Sequence, residues 1–343
     1  MTSWVEQYRP ECLDDIIGQE HITRRLDWMV KKLHSDNQTD WPHMMFAGPA
    51  GVGKTSTAIA LMKTAFGEQW KENWLELNAS DERSISVIRT KVKDFASRGV
   101  IGSYEANWTE GSASGDIRPI PFNVVFLDEA DNLTPDAQAA LRRMMERYDS
   151  TVFIISCNYP HKIIEPIQDR CAFSTTRFRP ISDDLMSGYI STLATTRKVT
   201  LTEDALQKII ESSSGSMRKA THLLYTVSIV PGEIELVDVE EIVQTLNPKE
   251  VKSILGALVK AKKAEDSLSV YRDIDKMIDK QLKSGMMATD ILNSMYRLAR
   301  DDDGMPKQLR HQILVGIGSA LHHVSVSQDP ALALRCFVRN LTV

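Results

Sequence analysis

The sequence predicts an α/β domain, a parallel sheet flanked by helices, followed by two all-helical blocks. Three observations carry that prediction. Short apolar runs alternate with helix-period segments over residues 1–180. A glycine-rich loop joins the first apolar run to a helix. Strand-like runs then cease, and helical patterns fill 181–247 and 248–343. Alternation of strand and helix is what a parallel sheet with crossover helices requires.

The strands come first. "HMMFAG" (43–48), "WLELNA" (74–79), "NVVFLDEA" (123–130) and "TVFIISCN" (151–158) are short, mainly apolar runs that read as buried strands. Between them, "SISVIRTKVKDFASR" and "TPDAQAALRRMMERY" have helical spacing. Thr134 followed by Pro135 marks a helix start, a cap and then proline in the first turn. Residues 99–121, with four glycines and no sustained period, are expected to form an exposed, mobile loop between a helix and the next strand. After "RFRP" (177–180) the pattern is helical, with a turn at "SSSGS". "LNPKE" is the expected joint between the two helical blocks, because proline discourages helix continuation.

Composition narrows the class. The 343 residues are 42% hydrophobic and 25% charged, the balance of a soluble globular protein. No apolar run approaches the ~18 residues that span a bilayer, so no membrane contact is expected, and "MTSWVEQYRP" lacks the pattern of a secretory signal. The four cysteines are widely spaced without a CxxC pair, which argues against a zinc site or a disulfide framework. The net charge is −5, so any nucleic-acid contact has to come from a local basic stripe.

"GPAGVGKT" fits G-x-x-x-x-G-K-[ST] in the right setting, after an apolar strand and before a helix. The loop Gly48, Pro49, Ala50, Gly51, Val52 and Gly53 would wrap phosphates, its backbone N–H groups (Pro49 has none) pointing inward, with Ser56 continuing into the helix. Lys54 would neutralise the outer phosphates and the Thr55 hydroxyl would ligate Mg²⁺. "VVFLDEAD" places Asp128 at the C-terminal end of a strand, where α/β sheets bind ligands. Asp128 would hold the Mg²⁺ hydration shell and Glu129 would polarise a water, which points to ATP hydrolysis. Asn158 ends a further strand; its amide either touches the γ-phosphate or simply caps the strand. Arg218, in "GSMRKATHLL", is either a solvated helical arginine or a group that closes onto the phosphates. In "IIEPIQDRCAF" (163–173), Arg170 taken alone is a structural ion pair. In "SISVIRTKVKDFASR", Ile85, Ile88, Val92 and Phe95 share one face, and Arg89 and Lys93 lie together on another. That second face is either solvated or set against nucleic-acid phosphates. Arg142 and Arg143 form another basic pair.

"WVEQYRP" (4–10), the phosphate loop, "LNASDERS" (77–84), "FLDEAD", "AQAALRRMME" (137–146), "SCN" and "GSMR" together resemble the small subunits of replication factor C, the AAA+ sliding-clamp loader of archaea and eukaryotes, most like the archaeal form. The resemblance implies an AAA+ domain, a small helical lid and a helical collar that holds five subunits, large and small, in a ring. It implies Val5, Arg9 and Ile17 around the nucleotide, Asn158 as sensor 1, and Arg218 as sensor 2. Arg170 is similar to the arginine finger that reaches the nucleotide of the adjacent subunit. Arg89 and Lys93 would run along primer–template DNA without reading sequence. The partners implied are the other subunits, a PCNA-type sliding clamp and primed DNA. The location implied is cytoplasmic and nucleoid-associated, or nuclear in a eukaryote. Four positions depart from the family pattern: Gln7 for lysine, Ser84 for glycine, Asp169 for serine beside Arg170, and Ser216 for an acid. They suggest a divergent second small-subunit paralogue. Two other functions use the same motifs: a different AAA+ motor, for junction migration or protein remodelling, and a loader subunit that does not hydrolyse ATP.

Overall fold

The structure is a computed structural model that describes residues 3–80, 85–106, 116–173, 177–243, 248–261, 267–283, 287–301, 305–327 and 329–342. The chain divides into two compact units, 1–239 and 240–343.

The first unit is built on five parallel strands. In chain order the strands of the protein are β1 (His43–Ala47), β2 (Trp74–Asn78), β3 (Ser103–Ala106), β4 (Asp116–Pro119), β5 (Asn123–Asp128), β6 (Thr151–Cys157) and β7 (Cys171–Ala172). The main sheet has the order β2-β5-β6-β1-β7, every neighbouring pair parallel. Helices α1 (Trp4–Gln7), α2 (Glu20–Asp36), α3 (Lys54–Phe66), α4 (Ile85–Ser97), α5 (Pro135–Arg147) and α6 (Glu165–Gln168) belong to this part. Successive side chains of a strand point to opposite faces, and the core divides accordingly. Met44, Phe46, Val124, Phe126, Val152 and Ile154 pack with Leu26 and Val30 of α2 and Leu61 of α3. Met45, Val125, Leu127, Phe153 and Ile155 pack with Val92 and Phe95 of α4 and Leu141 and Met144 of α5. The side chains of Ile85 and Ile88, and residues 81–84 of the "LNASDERS" stretch, lie outside the described residues. Thr134 caps α5 as its sequence suggests, accepting from the N–H of Ala137 at 3.3 Å.

The exposed loop expected over 99–121 is instead, in its described part, a two-stranded antiparallel hairpin. Strands β3 and β4 pair Tyr104 with Arg118. Tyr104 and Ala106, two residues apart, share the inner face and are buried. The Tyr104 ring lies 5.5 Å from Phe66 and 5.3 Å from His34. Arg118 donates to the carbonyls of Leu33 (3.2 Å) and His34 (2.9 Å), groups that α2 leaves unsatisfied at its C-terminal end. The alternation is only four residues long inside a Gly- and Ser-rich stretch, so no period stands out in the sequence.

Helices α7 (Asp183–Thr196), α8 (Glu203–Ser213), α9 (Met217–Val227) and α10 (Leu236–Val243) follow. The first three pack through Met186, Ile190, Leu193, Ile209, Leu224 and Val227, all buried. Helix α1 docks here. Trp4 meets Tyr225 edge-on at 5.2 Å, and the Arg197 guanidinium sits 5.0 Å from the Trp4 ring and 4.8 Å from Tyr8. Arg197 also donates to the Gln7 side chain.

The second unit contains α11 (Pro248–Ala261), α12 (Ser267–Lys283), α13 (Ala288–Asp301), α14 (Lys307–Val326) and α15 (Pro330–Thr342). Leu258, Ile274, Ile278, Ile291, Leu292, Ile313 and Leu334 form its core. Arg310 caps α13 by donating to the Ala299 carbonyl (2.8 Å) and the Arg300 carbonyl (2.6 Å). Among the described residues no helix is long and apolar enough to cross a membrane.

Candidate nucleotide site

Strand order decides where the site forms. Because β5, β6 and β1 are neighbours, their C-terminal ends bring Asp128, Asn158 and Gly48 to one edge of the sheet. The Gly48 N–H donates to the Cys157 carbonyl at 3.2 Å, which ties the start of the phosphate loop to the end of β6. Gly51 (φ +77°) and Gly53 (φ +101°) occupy left-handed backbone that a side chain disfavours, and Gly53 leads into α3.

Lys54 is the first residue of α3 and is nearly buried, at 8% exposed. Its ammonium donates to the carbonyls of Gly48 and Pro49, both at 2.7 Å, and to Asn158 Oδ1 at 2.8 Å. Burial lowers its pKa, and the nearby Asp128 carboxylate opposes that shift. The Thr55 hydroxyl donates to Asp128 Oδ2 at 2.9 Å, so the two residues predicted to hold Mg²⁺ are in contact. Glu129 takes left-handed backbone (φ 52°), and its N–H donates to Asp128 Oδ1 at 2.9 Å. Its carboxylate accepts from the Ser80 hydroxyl and from Asn132 Nδ2 at 3.3 Å.

A cavity of about 630 Å³ opens over this edge. Val5, Arg9, Ile17, the stretch Ala50–Ser56, Asp128, Glu129, Asn158 and Arg218 all line it. Arg218 comes from the second position of α9, and its N–H donates to the Gly51 carbonyl at 3.4 Å. The approach is close: a Cβ on Gly51 would stand 2.1 Å from Ser216 Oγ. The loop is therefore a cradle made by backbone, roofed by the helical part of the same unit. Its N–H groups, cationic Lys54 and the Thr55–Asp128 pair fit a nucleotide triphosphate with a hard divalent cation.

Five predicted positions do not line this cavity: Gly48 and Pro49, whose carbonyls accept from Lys54, and Arg170, Arg89 and Lys93. Arg170 follows the C-terminal end of α6, where one guanidinium nitrogen donates to the Pro166 carbonyl at 2.7 Å and another pairs with Glu146. Asp169 is exposed, and the ion partner of Arg170 is Glu146 of α5. Arg142 Nε donates to the same carboxylate oxygen at 3.2 Å, so Arg142, of the pair Arg142 and Arg143, belongs beside Arg170. Arg89 and Lys93 are exposed on α4, with buried Val92, Phe95 and Ala96 on its inner side.

Several residues at the site escape sequence reasoning. Asp131, 8% exposed, accepts from the Asn158 N–H at 3.1 Å and so orients the strand end beneath Lys54. Ser80 and Asn132 hold Glu129. Tyr8, Tyr189 and Thr221 line the cavity. Burial raises the Tyr189 phenol pKa, and a hydrogen bond with Thr221 opposes it. Only the DEAD-type run at 128–131 carried a signal for Asp131; the others are brought in by folding.

This fold and site define the class. A model of the ATPase family associated with various cellular activities (AAA) matches residues 44–177. The Thermotoga maritima RuvB Holliday junction branch migration motor shares the fold, with a TM-score of 0.53 at 18% identity, over 74% of this chain and 79% of that one. The replication factor C small subunit of Natronomonas pharaonis is 36% identical over 98% of this chain and 94% of its own length. That of Aeropyrum pernix is 39% identical over 99% and 95%. The chain belongs to the replication factor C small subunit family.

Proposed function

We propose that this protein is a subunit of an ATP-driven sliding-clamp loader, active on primed DNA within a ring of related subunits. The observation that carries the reading is the convergence of Lys54, Thr55, Asp128, Glu129 and Asn158 under a roof that includes Arg218. Lys54 would hold the outer phosphates in place of one of its present acceptors. Thr55 and Asp128 would hold Mg²⁺, which supplies charge neutralisation on the phosphates. Glu129 would orient water once its carboxylate leaves Ser80 and Asn132. Val5, Arg9 and Ile17 would surround the rest of the nucleotide.

Arg170 lies outside its own cavity, which suits a finger delivered to the neighbouring subunit's nucleotide. It would then exchange Glu146 for phosphate. Arg89 and Lys93 would neutralise duplex phosphates, a contact that weakens as salt rises. The division into 1–180, 181–247 and 248–343 would correspond to AAA+ domain, lid and collar. The partners would be large and small replication factor C subunits and a PCNA-type clamp. The four departures at Gln7, Ser84, Asp169 and Ser216 fit a second small-subunit paralogue that works beside another kind.

The test is steady-state ATP hydrolysis in the reconstituted complex with clamp and primed DNA, comparing wild type, Arg170→Ala, Glu129→Gln and a mixture of the two variants. Loss of stimulated turnover in each single variant, with nucleotide binding intact and partial recovery on mixing, is the expected result. Normal turnover in Arg170→Ala would make Arg170–Glu146 a purely structural ion pair.

A further inference from the structure

The sheet part that carries the phosphate loop and the helical roof are joined by a short linker, residues 177–181, and the way it is anchored changes along its length. Arg177 bridges to Ala47 of β1 and its carbonyl meets His21 Nε2 at 2.9 Å. The Phe178 N–H donates to the Ala47 carbonyl at 2.8 Å. Ile181, by contrast, donates to the Gly215 carbonyl at 3.0 Å, on the roof side. The changeover spans Arg179 and Pro180. Pro180 offers no N–H, so Arg179 is the last residue whose amide can fix the linker to the sheet side.

That residue is held by one side chain, Gln19, which is completely buried. Gln19 Oε1 accepts from the Arg179 N–H at 3.2 Å, and Gln19 Nε2 donates to the Arg179 carbonyl at 2.8 Å. The same Nε2 donates to the carbonyl of Val52, inside the phosphate loop, at 3.3 Å. A single buried amide therefore satisfies three backbone groups and connects the loop to the near side of the pivot. The roof residues that reach the cavity, Ile181, Tyr189, Met217, Arg218 and Thr221, all lie beyond that pivot.

We propose that Gln19 is a positioning residue for nucleotide binding: it fixes the Arg179–Pro180 pivot relative to Val52 and thereby sets the distance from Arg218 to the phosphate loop. The proposal rests on the reading of the cavity as a nucleotide site. Its chemistry is that of a fully buried amide bonded at once to the pivot and to Val52, so loss of the amide removes the direct tie between pivot and loop.

The experiment uses the full chain and its Gln19→Met, Arg218→Ala and double variants. Methionine keeps the length of the side chain and removes its hydrogen bonds. Affinity for a fluorescent ATP analogue is titrated, and amide hydrogen exchange is followed over 177–181, 215–224 and the sheet. Gln19→Met is expected to weaken binding about tenfold, and the double variant to bind no more weakly than Arg218→Ala alone, since a misplaced Arg218 matters only while it is present. Exchange over 177–181 should rise with or without nucleotide, while the β5 and β6 amides keep their protection. Unchanged affinity, multiplicative losses in the double variant, or a uniform rise of exchange across the sheet would overturn the proposal. Should the wild type fail to bind the analogue, the nucleotide reading falls, and the exchange measurement still decides whether Gln19 holds the linker.

Discussion

Gly51→Ala tests the docking of roof on loop directly. Two costs add at this position. At φ +77° an alanine occupies left-handed backbone, which costs about 1–2 kcal/mol. The new methyl would also stand 2.1 Å from Ser216 Oγ, far inside contact distance, so the start of α9 must move. Ser216→Ala removes that oxygen and leaves contacts of 3.2 Å to Arg218 Cβ and 3.3 Å to the residue 216 Cβ, which small shifts absorb. By itself Ser216→Ala loses a helix cap, the 3.4 Å bond from the Lys219 N–H, worth about 0.5–1 kcal/mol at that length. The double variant should therefore be more stable than the sum of the single losses predicts, by about 1 kcal/mol or more. Urea unfolding of the three variants, followed by circular dichroism, measures the coupling. Nucleotide affinity should fall in Gly51→Ala and recover in part in the double variant. Losses that add to within about 0.5 kcal/mol would refute the reasoning, because they would mean that Ser216 does not stand against Gly51 in solution.

Other outcomes follow from the same geometry. Lys54→Ala removes a cation held at the phosphate edge and is expected to weaken nucleotide binding about 10- to 100-fold, read by titration. Ser80→Ala frees one of the two groups that hold the Glu129 carboxylate and should raise basal hydrolysis by about three- to tenfold, read as steady-state turnover; an unchanged rate would show that Ser80 does not restrain Glu129. Glu146→Gln breaks a half-exposed ion pair with Arg170, so stability should change by less than about 1 kcal/mol. Stability should also depend on pH through His34 and His43, whose pKa values burial lowers from 6.5. The unfolded chain then binds more protons between the two values, so their contribution is full above about 6.5 and is lost as pH falls through the folded values. Urea midpoints at pH 7.5 and 5.5 should show this drop, and His34→Asn should reduce it.

The parts of this protein that the sequence determined are those written in local patterns. The phosphate loop needs glycine at Gly51 and Gly53 because the backbone there is left-handed, and an adjacent Lys-Thr pair because both act from the first turn of α3. Buried parallel strands need unbroken apolar runs, so β1, β5 and β6 are visible residue by residue, whereas β2, expected to be buried, lies at the sheet edge and buries only Leu77. Tertiary structure decided whatever depends on which strand lies beside which. The order β5-β6-β1 brings Asn158 to Lys54 and Asp128 to Thr55 across 104 and 73 residues, and no local spacing encodes that. The same holds for Gln19, a polar residue just before α2 whose amide meets Arg179 160 residues later. It holds again for Glu146, which gives Arg170 a partner from a different helix. The strand pair β3 and β4 was hidden for a different reason: four-residue strands are too short to display a period, and burial of Tyr104 against Phe66 reveals their inner face. Local chemistry restricts which backbone each residue tolerates; contact between distant segments is settled by the core, where apolar faces leave few ways to pack.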